Sequence, residues 1–178
     1  MNVEYTAEQQ KIQPQLATAN INPDSFLATD YLNHFNEIVM LLEMIPDMPE
    51  LLEEAVEWSP KSYDQHFSES GFQAKDLAIQ AYKLAPTVFK TPFEKTCAEM
   101  QGIIQSTLNG LVAVNVLERG MSPAAQELIR ARIEKLQALL MVLNQLIHGK
   151  IEATATLTQE EAPQEDVQSQ EDIDKLFD

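Results

Sequence analysis

The stretch PFEKTCAEMQGIIQSTLNGLVAVNVLERGMSPAAQELIRARIEKLQALLMVLNQLIHG, residues 92–149, decides the fold. Phe93, Cys97, Met100, Ile104, Thr107, Leu111 and Val114 recur at alternating spacings of four and three, which keeps them on one face of an α-helix. Pro92 stands where a helix starts, because its missing N–H has no intrahelical partner there. Gly120 reads as a C-terminal cap. Ser122-Pro123 restarts a helix with an N-cap and a first-turn proline. Ile129, Ile133, Leu136, Leu140, Leu143 and Ile147 carry the same repeat to Gly149. Two long helices joined by so short a turn run antiparallel, each roughly 40 Å long at 1.5 Å per residue. The heptad-like period predicts a gentle left-handed coil.

Ile103, Leu108, Leu128 and Leu139 widen the apolar stripe beyond what a two-stranded seam needs. Two coverings meet that need: helices from earlier in the chain, or a second hairpin from another copy, giving a four-helix bundle in a homodimer. The earlier chain does supply helices. Tyr31, Phe35, Ile38, Leu42 and Ile45 share a face, with Thr29 or Asp30 to cap the start and Pro46 to stop it. MPELLEEAVEW makes a short second helix before Ser59-Pro60. Residues 60–71 read as a connecting loop. FQAKDLAIQAYKLA is a third helix, with Phe72, Leu77, Ala81 and Leu84 near one face, ending before Pro86. Residues 1–22 are polar and Gln-rich and read as a loosely ordered segment holding at most a short helix. The expected fold is all-α: a long antiparallel hairpin (92–148) within a helical domain, 23–150, with smaller helices before it.

Composition agrees with that class. Leu, Ala, Glu, Gln and Met are abundant, and Val, Ile and Thr do not alternate. A net charge of −16 repels phosphate backbones and anionic bilayers, so nucleic acid and membrane surfaces are not expected partners. No apolar run is long enough to span a bilayer. The N-terminus lacks the basic start and apolar stretch of a signal peptide, and the single cysteine, Cys97, fits a reducing compartment. The expected location is the cytoplasm.

From Ile151 onward nine acidic residues and one Lys stand with little to bury until the end. Residues 151–168 therefore read as a disordered acidic linker. The last ten residues, SQEDIDKLFD, differ. Ser169 is an N-cap with Asp172 three residues on, close to a capping box. Glu171 and Asp172 fall in a first turn, where the helix dipole favours negative charge. Ile173, Leu176 and Phe177 lie at i, i+3 and i+4 and share a face, while Asp174 and Lys175 point elsewhere. So short a helix forms only on a partner offering an apolar groove ringed by basic residues.

Ser-Gln-Glu-Asp-Ile-Asp-Lys-Leu-Phe resembles the short peptides of the flagellar switch protein FliM and the chemotaxis phosphatase CheZ that bind the response regulator CheY. Ser169, Gln170, Asp172, Ile173, Asp174, Leu176 and Phe177 carry the likeness. It implies docking on a CheY-like receiver domain, with the three apolar residues in contact and Asp172 and Asp174 meeting basic side chains. The layout of hairpin, linker and terminal peptide is also similar to CheZ. The acid and glutamine one turn apart that the phosphatase carries on its hairpin are missing: no Asp occurs between Pro92 and His148, and none stands four residues before Gln101, Gln105, Gln126, Gln137 or Gln145. No catalytic residue is carried over. Other phosphatases of such regulators pair an acid with an Asn three residues on, a spacing that Asp30 and Asn33 have. The expectation is a non-enzymatic interaction protein of chemotaxis or flagellar control, the alternatives being a regulator phosphatase or a helical structural protein with an unrelated tail.

Other side chains with chemistry to offer have plainer readings. Asp30, His34 and Glu37 are metal-ligand types at helical spacing, but a ferritin-like di-iron site needs Glu-x-x-His on two helices. A solvated face is expected, with no metal and no cofactor; His66 falls in the loop and His148 at a helix end. Cys97 on the apolar stripe reads as core. Met40, Met44 and Met48 read as core packing first and as an adaptable binding surface second. Trp58, Tyr63, His66 and Phe67 form a second candidate contact surface.

Overall fold

The structure, a computed structural model, describes residues 3–150. All regular structure among them is helical. The α-helices are α1 (Ala7–Leu16), α2 (Leu32–Met44), α3 (Leu52–Ala55), α4 (Tyr63–Glu69), α5 (Lys75–Leu84), α6 (Thr87–Ala113), α7 (Val116–Arg119) and α8 (Pro123–Ile147). Among the described residues no helix is long and apolar enough to cross a membrane.

α6 and α8 form the antiparallel hairpin. All but the last residue of the four-three stripe on α6 is buried. On α8, Ile129, Leu136, Leu143 and Ile147 are buried, whereas Ile133 and Leu140 are partly covered. The turn between them is more articulated than expected. α6 stops at Ala113, Asn115 takes a left-handed φ of 63°, α7 adds one turn, and Gly120 at φ 74° ends it. Ser122 caps α8 as expected, its Oγ accepting from the Ala125 N–H at 3.1 Å. Gly149 (φ 81°) closes α8 in a Schellman turn, with Gly149 N–H to Leu146 O at 3.0 Å and Lys150 N–H to Gln145 O at 2.9 Å.

The start of α6 corrects the sequence reading. The helix begins at Thr87, and Pro92 lies inside it. Pro86 ends the preceding chain, and its carbonyl accepts from the N–H groups of Phe89 and Lys90 at 3.0 and 2.9 Å. Extending the helix by a turn buries Phe89 beside Phe93, which offsets the bond that Pro92 forfeits.

The wide stripe is covered from within the chain. α2 runs antiparallel along α8 and buries Leu32, Phe35, Ile38, Val39 and Leu42. Its register is fixed at both ends: Ser25 Oγ donates to the Ile147 carbonyl, and Gln137 Nε2 donates to Glu43 Oε1 at 2.9 Å. The width of the stripe therefore does not itself call for a second copy. α2 starts in a 3-10 turn, Thr29–Tyr31, without the side-chain cap expected from Thr29 or Asp30; the Asp30 carboxylate is engaged elsewhere. The stop at Pro46 holds.

Two segments are more ordered than the sequence suggested. α1 carries a reciprocal capping box between Thr6 and Gln9, and Ile12 and Leu16 enter the core. Gln9 Nε2 ties it to the end of α5 through the Leu84 carbonyl at 2.7 Å. Residues 60–71, read as a loop, contain α4, capped by Ser62 through the Gln65 N–H at 3.1 Å. Tyr63 and Phe67, one turn apart, are buried.

Candidate functional site

The expected docking residues Ser169, Gln170, Asp172, Ile173, Asp174, Leu176 and Phe177 lie outside the described residues. Within the body, the structure gathers polar chemistry where α4 meets the start of α2. An aromatic cluster holds the two together. Tyr63 OH accepts from the Ala28 N–H at 2.9 Å, Tyr31 OH donates to the Lys61 carbonyl at 2.7 Å, and the Tyr31 and Tyr63 rings lie 5.1 Å apart. Burial raises both phenols well above the ordinary tyrosine range, so both stay protonated.

This frame sets His66 against Asp30, Nε2 donating to Oδ2 at 2.9 Å. Asn33, three residues along, donates its amide to Asp30 Oδ1 at 3.3 Å. Asp30 and Asn33 lie at the junction of two open clefts, of about 540 and 1070 Å³. The smaller is bounded by the 20–23 loop and His148, the larger by α1, His66 and Phe72. Neither is lined by a Lys or Arg. Such clefts lack the cations that hold a small phosphorylated ligand. What they present is an acid and an amide on one solvent-facing turn.

His34, grouped with Asp30 and Glu37 by spacing alone, points away from them. Its Nε2 accepts from the Lys61 N–H at 3.0 Å, and its ring stacks on Trp58 at 4.7 Å. Trp58 Nε1 donates to the His34 carbonyl at 3.1 Å. Burial, followed by the nearby His66 and Lys61, lowers the His34 pKa to about 4, so the ring is a neutral structural acceptor. Glu37 is exposed. Among the described residues no three His, Cys, Asp or Glu side chains converge as a metal site would require. His148 caps its own helix, Nδ1 donating to the Asn144 carbonyl at 2.7 Å. Trp58, Tyr63 and Phe67, read as a candidate contact surface, are used in this packing instead.

Cys97 is buried as expected, and burial, with the Glu94 carboxylate second, pushes its thiol up to about 12. The methionines depart from the core reading. Met40, Met44 and Met48 are 56%, 38% and 41% exposed, and Met141 on α8 is 62% exposed. The apolar run IVMLLEMI concealed this, because a helix flanked by α8 on one side only still leaves an outer face.

Compared with protein-family models, curated proteins and solved structures, the chain matches none.

Proposed function

We propose that this is a non-enzymatic interaction protein of bacterial chemotaxis or flagellar control, acting in the cytoplasm, whose C-terminal peptide captures a CheY-like receiver domain. The observation that carries the reading is the sequence Ser169-Gln170-Glu171-Asp172-Ile173-Asp174-Lys175-Leu176-Phe177, with its apolar triplet Ile173, Leu176 and Phe177, at the end of an acidic segment. Ile173, Leu176 and Phe177 fill an apolar groove on the receiver, and Asp172 and Asp174 meet basic side chains beside it. The helical body sets where the captured receiver is held. Capture through a C-terminal peptide concentrates the receiver at the body. The test is titration of a labelled peptide, residues 165–178, into CheY-like receivers with and without a phosphoryl mimic. Binding that favours the activated receiver and disappears with Phe177→Ala supports the reading; no binding to any receiver sinks it.

A second reading has one observation in its favour: the Asp30 carboxylate and Asn33 amide share an exposed turn at an open cleft. In a regulator phosphatase such a pair would orient the attacking water. Full-length protein would then speed loss of the receiver's phosphoryl group, and Asn33→Ala would abolish the acceleration without changing capture. Equal decay rates with and without the protein dismiss it.

A further inference from the structure

The Glu43–Gln137 bridge brings the outward faces of α2 and α8 into one register. Met40 and Met44 flank Glu43, and Met141 is one turn beyond Gln137. Met48 continues the row, its N–H bonded to the Met44 carbonyl at 2.9 Å. Met40, Met44 and Met141 thus stand exposed on two adjacent helices, and Met48, just past the end of α2, completes an exposed ridge, while Met100 is fully buried. Methionine is flexible and polarisable, and an exposed row of it suits docking of an apolar helix face. Met40 and Met44 lie four residues apart on α2, the spacing at which an amphipathic helix presents its own anchors.

Charge selects the occupant. Between Lys11 and Lys61 the chain holds nine Asp and Glu and no Lys or Arg. Glu37, Glu43, Asp47 and Glu50 are exposed among the methionines, with Glu134 across the bridge on α8. The acidic C-terminal segment and a second copy at −16 are both repelled by such a surface. We propose that the methionine ridge is a docking surface for a basic amphipathic helix of a partner protein. Leu-, Ile- or Phe-type anchors pack on Met40, Met44 and Met141, and flanking Lys or Arg meet Glu43, Asp47 and Glu134. The surface is independent of what residues 169–178 bind.

The test uses the full-length chain with ¹³C-labelled methionine methyls and an 18-residue Leu/Lys amphipathic peptide as probe. A peptide of the same composition with its pattern scrambled reports charge alone. The expected result is methyl shifts at Met40, Met44, Met48 and Met141 but not Met100, with at least tenfold weaker binding of the scrambled peptide. The double variant Met40→Gln, Met141→Gln, which leaves the charge and the core untouched, weakens binding at least tenfold. Equal binding of both peptides, or shifts away from the ridge, overturns the proposal. Ridge methyl shifts that appear on concentrating the protein alone assign the surface to a second copy and overturn it. Ridge shifts on removing residues 151–178 assign it to the chain's own tail, with the same consequence.

Discussion

At His34 an imidazole is held as a neutral acceptor between the Lys61 N–H and the Trp58 ring. Its pKa is about 6.5 when unfolded and about 4 when folded, so the unfolded chain binds the extra proton first. The contribution is fully present above pH 6.5 and is lost as pH falls from 6.5 through 4, amounting to roughly 3 kcal/mol at most. Denaturant melts across that window should show a drop that His34→Gln, which keeps an acceptor without titrating, largely removes. Cys97 makes a kinetic prediction. With its thiol pushed to about 12 and buried, reaction with a disulfide reagent at pH 8 should be at least a hundredfold slower in the native protein than in denaturant. Equal rates would show that the α6 core opens readily. The burial of Cys97 could be read from its place in the repeat. The Asp30–His66 contact could not, because the partners are 36 residues apart and no local pattern couples them.

At the scale of the element, the hairpin was legible because its signals are local and mutually consistent. The apolar period, the Ser122 cap, the first-turn Pro123 and the closing Gly149 all concern neighbours within a few residues. Ser122→Ala should cost about 1 kcal/mol in a denaturant melt, the usual worth of such a cap. The break at Asn115 carried no such signal. Asn tolerates φ 63° better than other side chains with a Cβ, and its amide reaches Glu118 at 3.3 Å. Asn115→Gly should therefore be near neutral and Asn115→Val should lose about 1–2 kcal/mol; equal losses would mean that the left-handed turn is not what matters there. α4 was missed for a different reason. Seven residues carrying one buried pair make a weak period, and tertiary contacts from Tyr31 and Ala28 stabilise a helix too short to stand alone.

At the scale of the molecule, charge is divided unevenly. Residues 87–150 hold seven Lys and Arg against five Asp and Glu, whereas residues 1–86 hold four against fourteen. The acidic N-terminal layer lies on a nearly balanced hairpin, which leaves most of its charge facing solvent. Raising salt from 0.05 to 0.5 M should accordingly weaken binding of a basic helix to the methionine ridge while changing thermal stability little. A fall in stability as large as the fall in affinity would place the same charges in the fold rather than at the surface. The exposure of that ridge was invisible in the sequence because it depends on which side of α2 receives α8, a fact of docking rather than of pattern.

The closure of α8 also has a mechanical side. Ser25 grips the Ile147 carbonyl, and a Cβ on Gly149 would approach Asp24 Cβ to 3.2 Å. The last turn of α8 is therefore wedged against the loop at 22–25, which the Asn22 side chain braces through the N–H groups of Asp24 and Ser25. A load hung on residue 151 is taken up by that loop before it reaches the turn at 114–122. Tension applied at Lys150 would load α8 in shear against α2 rather than unzip the hairpin from its bend.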